Sequence, residues 1–286
     1  MTLPDPAWYD TQYNNRARVP DSPALLARWA EASALTRDQM TVVVDEAYGD
    51  DPAERLDVFP ARAEGAPVLV FIHGGYWRAL DKADHSFVAP AFVDAGAMVV
   101  VPNYSLCPQV GIDRIALQCA QVIAWVWRHA RRFGGDPGRI VVAGHSAGAH
   151  LAAMMLACRW PLVDAALPRR VLAGAVGLSG LYDLEPLRLT PFLQTDLRLT
   201  PALVRRLSPA FFPRPPGPLH ALVGAEESDE FIRQNQLIRA QWGPTTVPVC
   251  EALPGRNHFT VLTDLVDPGG RAHGLTLGLL GLASAS

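Results

Sequence analysis

Lysine is nearly missing from this chain of 286 residues: Lys82 is the only one, and arginine supplies the other positive side chains. We read this as codon usage in a GC-rich genome, not as a binding signal. Charged residues make up only 19% and the formal charge is −3. No basic stripe is available to neutralise phosphates, which argues against a nucleic-acid partner. No apolar run is long enough to span a bilayer; residues 171–181 are too few and are broken by glycines. The start, Met1-Thr2-Leu3-Pro4-Asp5-Pro6, lacks the basic and apolar regions of a signal peptide. Cys107, Cys119, Cys158 and Cys250 have no metal-ligand spacing, and a reduced cytoplasmic setting is the simple expectation. There is no H-E-x-x-H and no His/Cys cluster, so neither a catalytic metal nor a cofactor is expected.

What is present is a large apolar fraction, 49%, enough for a full core. The length suits one large α/β domain or two small ones, and residues 1–286 read as one. Residues 1–38 are mixed and polar, with Trp8, Tyr9, Tyr13 and Trp29 as anchors for short helices wrapping the domain. Strands are expected over 41–48, 55–59, 67–73, 97–101, 139–143, 171–179, 219–223 and 247–253. Helices are expected over 84–95, 112–133, 147–158 and 229–242, with a closing helix within 259–283. From Leu181 to Pro216 prolines and short amphipathic pieces break the pattern, and the segment reads as an insertion over the active site. Alternating buried strands and helices predict a mostly parallel sheet covered on both faces.

One pentapeptide carries the chemistry. Gly144-His145-Ser146-Ala147-Gly148 is a G-x-S-x-G box lying between a buried strand and an Ala/Leu/Met-rich helix. That context makes it a nucleophile elbow, with Ser146 on a strained turn that side chains at the flanking glycines would obstruct. Its glycines fit neither a phosphate-binding loop nor a dinucleotide fingerprint. A serine hydroxyl needs a base, and the base needs a carboxylate to hold its tautomer. With chain order Ser, acid, His, the base should follow the last strand, where His258 stands; His273 lies too far into the terminal region. The acid should lie in Gly224-Ala225-Glu226-Glu227-Ser228-Asp229-Glu230. Placement after the strand-end glycine selects Glu227, with Asp229 as the alternative, unless Asp229 caps the next helix. Glu226 and Glu230 are expected to be solvated. Negative charge on the intermediate needs backbone N–H donors, expected at Gly74, Gly75 and Ala147. His73 is expected to brace the Gly74-Gly75 loop, and His145 and His150 to pack. His85, His129 and His220 have no partner pattern.

With these residues in hand, the chain resembles the kynurenine formamidase (arylformamidase) family of α/β-hydrolases, within the hormone-sensitive-lipase-like esterases. The resemblance covers roughly residues 40–265. It rests on His73-Gly74-Gly75-Tyr76-Trp77, on the run from Gly144 to Leu156, on Ser179-Gly180-Leu181-Tyr182-Asp183-Leu184-Glu185-Pro186 and on Asn257-His258-Phe259. Lipases of the wider group tend to have a third glycine where Tyr76 stands, and animal formamidases have aspartate where Glu227 stands. Phe231 and Gln234 downstream match the family and support that register. The resemblance implies an α/β-hydrolase fold with an eight-stranded sheet and a small cap. It also implies hydrolysis of N-formyl-L-kynurenine to L-kynurenine and formate. Tyr76 and Trp77 then offer flat surfaces to the substrate ring, or else pack between loop and cap. Arg78, Arg188 and Arg198 are equal candidates for the substrate carboxylate. The partner expected is a small-molecule ester or amide, with no membrane and with a homodimer left open. A broad carboxylesterase or amidase on the same machinery is the main rival; a peptidase or carbamate hydrolase, or a fold retained only for binding, are weaker ones.

Overall fold

The computed structural model describes residues 5–282. Eight strands form one sheet: β1 Val43–Ala47, β2 Arg55–Phe59, β3 Ala66–Ile72, β4 Met98–Pro102, β5 Gly135–His145, β6 Leu172–Leu178, β7 Leu219–Gly224 and β8 Val249–Leu253. Their order is β1-β2-β4-β3-β5-β6-β7-β8. β2 runs antiparallel to both β1 and β4, and every other pairing is parallel. This is the α/β-hydrolase architecture expected from the sequence.

The period-2 rule explains why β3 reads as an unbroken apolar run. Val68, Val70 and Ile72 join the core on one face, and Leu69 and Phe71 join the core on the other. β4 divides in the same way, Met98 and Val100 against Val99 and Val101. The first face is covered by α5 (Ile112–His129), α6 (Ala147–Leu156) and α10 (Asp229–Thr246), and the second by α3 (Ser22–Gln39), α4 (Ala89–Asp94), α11 (Val261–Val266) and α12 (Arg271–Leu280). Among the described residues, no helix is long and apolar enough to cross a membrane.

The differences from expectation follow proline and glycine. The helix expected over 84–95 is instead two 3₁₀ turns, Lys82–Asp84 and Ser86–Val88, followed by the short α4. Pro90 lacks an N–H and fits only the first helical turn, so regular helix begins one residue before it. The closing helix is split into α11 and α12 by Asp267-Pro268-Gly269-Gly270. α10 loses helical geometry at Gly243, φ 79°, next to Pro244, just beyond its expected end at Trp242.

The N-terminal region contributes α1 (Pro6–Tyr13) and α2 (Asn15–Arg18) besides α3. Tyr13 donates to the Glu230 carboxylate at 2.6 Å, and Arg37 donates to Ser86 Oγ at 2.8 Å. The segment 181–216, expected to be an insertion, forms α7 (Glu185–Arg188), α8 (Pro191–Leu197) and α9 (Pro201–Leu207). Phe192 N–H donates to Asp10 at 3.3 Å, tying the insertion to α1.

Candidate active site

Ser146 sits between β5 and α6 at φ 56°, ψ −118°. For a residue with a Cβ this left-handed half-plane is strained, and it persists only where the surroundings enforce it. Here the enforcement is crowding. A Cβ on Gly144 would lie 2.2 Å from the Gly148 oxygen, and one on Gly148 would lie 2.0 Å from the Ile72 oxygen. The two glycines are therefore set by space between β3, β5 and α6, as the sequence pattern anticipates.

His258 Nε2 lies 3.2 Å from Ser146 Oγ, and its Nδ1–H donates to Glu227 Oε2 at 2.6 Å. The other Glu227 oxygen accepts from Ser179 Oγ at 2.5 Å and from the Gly224 N–H at 2.8 Å. The Glu227 side chain has no exposed surface, so these bonds replace water around a buried carboxylate. Phe231 packs 4.6 Å from the His258 ring, and Gln234 accepts from the Tyr182 and Asp183 amides at 2.8 Å each. Asp229 is exposed in the first turn of α10, after the cap residue Ser228, and among the described residues makes no hydrogen bond or ion pair with His258. Glu226 is exposed as expected, but Glu230 is not. It is buried, paired with Arg233 at 2.7 Å and accepting from Tyr13, because α1 covers the start of α10.

Gly74 and Gly75 lie against the elbow. A Cβ on Gly74 would come within 3.2 Å of Ser146 Cβ, and one on Gly75, φ 104°, would lie 2.1 Å from the Ala79 oxygen. Among the described residues, the N–H groups of Gly74, Gly75 and Ala147 donate to no protein acceptor. Ala147 also begins α6, where unsatisfied amides and the helix dipole favour negative charge. His73 braces the loop as expected: its Nδ1 is 2.8 Å from the Gly74 oxygen and its ring stacks on Tyr104 at 4.3 Å.

A cavity of about 510 Å³ opens beside Ser146 and His258. Tyr76 lines it, with its hydroxyl donating to the Tyr13 oxygen at 2.6 Å and its ring edge-on to Phe192 at 6.2 Å. Trp77 does not, and the expectation that it faces the substrate is corrected. It is fully buried beneath the loop with its ring 5.0 Å from His150. A large apolar ring gains more from that core position than from a wet wall. The arginine candidates are also resolved by their partners. Arg78 pairs with Asp196 at 2.5 Å and Arg188 with Glu185 at 2.5 Å, while Arg198 ends α8 away from the cavity.

Several wall residues were not expected at the site from the sequence. Asn15, Arg16, Leu26 and Trp29 come from the N-terminal helices, and Phe192 and Asp196 from the insertion. Ser179, φ 54°, which holds Glu227, stood out only within the family-like segment.

His145 sends Nε2–H to the His258 oxygen at 2.7 Å, tying the end of β5 to the base's own backbone. Burial, and then the nearness of His258, hold its pKa well below the usual value, so it stays neutral. His150, bonded to the Leu207 oxygen at 2.7 Å, is lowered to about 4, mainly by burial. A folded pKa below the unfolded value of roughly 6.5 means the unfolded chain takes the proton first. The contribution of His150 to stability is therefore full above pH ~6.5 and is lost as pH falls toward 4. We expect Tm to drop across that window, and to drop less in His150→Gln, whose amide can still donate to Leu207. Thermal melts followed by circular dichroism check this; equal pH slopes for the two proteins would contradict it.

Comparison with known proteins agrees with this architecture. The BD-FAE family model matches residues 56–160. Kynurenine formamidase of Danio rerio is 30% identical over 240 residues, 81% of this chain and 79% of that protein. Esterase LipC of Mycobacterium tuberculosis is 30% identical over 259 residues, 80% of this chain and 62% of the esterase. Among solved structures, a candidate thioesterase from Silicibacter superposes with a TM-score of 0.83 at 28% identity, covering 93% of this chain and 98% of that one. An esterase from Pyrobaculum calidifontis superposes with a TM-score of 0.70 at 20% identity, over 92% and 94% of the two chains, and shares the fold.

Proposed function

We propose, for a chain that belongs to the kynurenine formamidase family of α/β-hydrolases and is a serine hydrolase of formamidase or esterase type, that it cleaves N-formyl-L-kynurenine to L-kynurenine and formate. The observation that carries this reading is the continuous line Ser146–His258–Glu227, closed at both bonds and set beside unspent amides at the wall of one cavity.

In this mechanism His258 Nε2 takes the Ser146 proton as Oγ attacks the formyl carbon, and Glu227 holds the imidazolium that forms. The amides of Gly74, Gly75 and Ala147 receive the developing oxyanion; losing one such donor costs about 3 kcal/mol in other hydrolases. His258 then protonates the aryl amine nitrogen as the C–N bond breaks, leaving a formyl ester on Ser146. Water, deprotonated by the same imidazole, attacks this ester and releases formate, and the proton returns to Oγ. The chemistry suits the substrate. Formyl is the smallest acyl group, and an aryl amine is less basic than an alkyl amine and departs more readily.

A second reading, a broad carboxylesterase, is favoured by the LipC relative. Measuring kcat/KM for N-formyl-L-kynurenine and for p-nitrophenyl acetate on one preparation separates the two. The formamide is expected to be the better substrate, and a strong preference for the simple ester would overturn the formamidase assignment.

A further inference from the structure

Three permanently charged side chains line the Ser146 cavity: Arg16, Arg78 and Asp196. Two of them are committed to each other. Arg78 binds Asp196 at 2.5 Å, donates to the Phe192 oxygen at 3.0 Å and lies over the Phe192 ring at 5.4 Å, so it holds α8 in place. Arg16 differs. It is exposed, and among the described residues its guanidinium makes no ion pair and no hydrogen bond, although its backbone is held. Asn14 caps α2 by accepting from the Ala17 N–H at 3.2 Å, and the Arg16 oxygen accepts from Ser22 Oγ at 3.4 Å.

Asn15, 5% exposed, lines the same wall. Its amide nitrogen has one contact, a long 3.4 Å approach to the Tyr76 hydroxyl oxygen, and its amide oxygen accepts from no group among the described residues. An amide with so little bonded to it keeps donor and acceptor capacity to spare for a ligand in the cavity. A guanidinium is charged at every working pH and presents a fork of donors matched to a carboxylate. Beside such an amide in a cavity wall, an uncommitted guanidinium offers an anion subsite.

We infer that Arg16, with Asn15, holds the carboxylate of an aryl amide or aryl ester substrate whose acyl group is presented to Ser146. This rests on the reading of Ser146 as the acyl-transfer centre and assigns the far end of its substrate. The N-terminal helices then select the substrate, and the strand-end loops carry out the chemistry.

The test uses two substrate pairs in which only one member has a carboxylate: N-formyl-L-kynurenine with formanilide, which lacks the whole amino-acid side chain, and 4-acetoxybenzoate with phenyl acetate, which lacks the carboxylate alone. The readout is the ratio of kcat/KM within each pair, which does not depend on the fraction of active enzyme. Wild type is expected to favour the carboxylated member. Arg16→Ala should cut the ratio at least about tenfold, chiefly through KM, as loss of a charge-assisted bond implies. Arg16→Lys should keep most of it. A ratio in Arg16→Ala within twofold of wild type overturns the subsite. If the ester pair shows the Arg16-dependent ratio but neither formamide is cleaved, the subsite stands and the formamidase reading falls. If N-formyl-L-kynurenine is cleaved with an unaltered ratio, the reverse holds. Cleavage of neither pair overturns both.

Discussion

Ser146→Ala should lower kcat by up to about a million-fold, on the template of serine proteases in which the nucleophile alone was removed. The loss is this large because no neighbouring group can replace the hydroxyl. The His258 ring would face a methyl group where Oγ now lies 3.2 Å away. The fold should survive, since the change removes one buried oxygen whose side-chain partner is that ring, and alanine tolerates the site no worse than serine. Unchanged circular dichroism and Tm with lost turnover is the expected pair of results. A folded Ser146→Ala protein keeping a tenth of wild-type activity would remove the mechanism.

Glu227→Ala is expected to cost about 10,000-fold in kcat, the scale seen when a triad acid no longer orients its histidine. The two Glu227 oxygens are bound by three partners, His258, Ser179 and Gly224. Removing the carboxylate therefore frees the imidazole and also strands a buried hydroxyl and a buried amide, each a penalty of roughly 1–3 kcal/mol. A fall in Tm should accompany the fall in kcat. Glu227→Asp separates the two effects: it keeps the charge but shortens the reach by one methylene, so activity should be intermediate. Asp229→Asn should leave kcat within a few-fold of wild type, because Asp229 is exposed and the His258 imidazole is held by Glu227 instead. Steady-state kinetics on all three variants with one aryl substrate decide the matter. An Asp229→Asn loss exceeding that of Glu227→Ala would move the acid to the alternative position.

Much of this centre was legible in the chain because its parts are local. The G-x-S-x-G box needs small residues at Gly144 and Gly148 where β5, α6 and β3 meet, and a pattern of five residues records that need. Glu227 was chosen by its distance from Gly224, and its oxygen does accept from the Gly224 N–H three residues back. β3 and β4 were legible because burial on both faces leaves an apolar run with no polar interruption. Proline defeated the reading of residues 84–95, where composition favoured a helix but Pro90 could occupy only its first turn.

The misses share a different cause. Glu230 resembles a solvated carboxylate until α1, more than two hundred residues earlier in the chain, lays Tyr13 over it. Trp77 and Tyr76 are adjacent aromatics in one loop with nearly equal φ, 55° and 51°. Yet one is sealed against His150 while the other walls the cavity, because each ring's surroundings come from elements distant in sequence.

By itself the sequence determined where the buried strands lie, the sharp turn under Ser146 and the order of nucleophile, acid and base, since each is written in local apolar runs or in spacing within a few residues of a strand end. Tertiary structure alone decided which charges are spent, which aromatic ring is sealed away and which N-terminal residues wall the cavity. Those outcomes depend on desolvation and on partners brought together from opposite ends of the chain, and no local pattern encodes them.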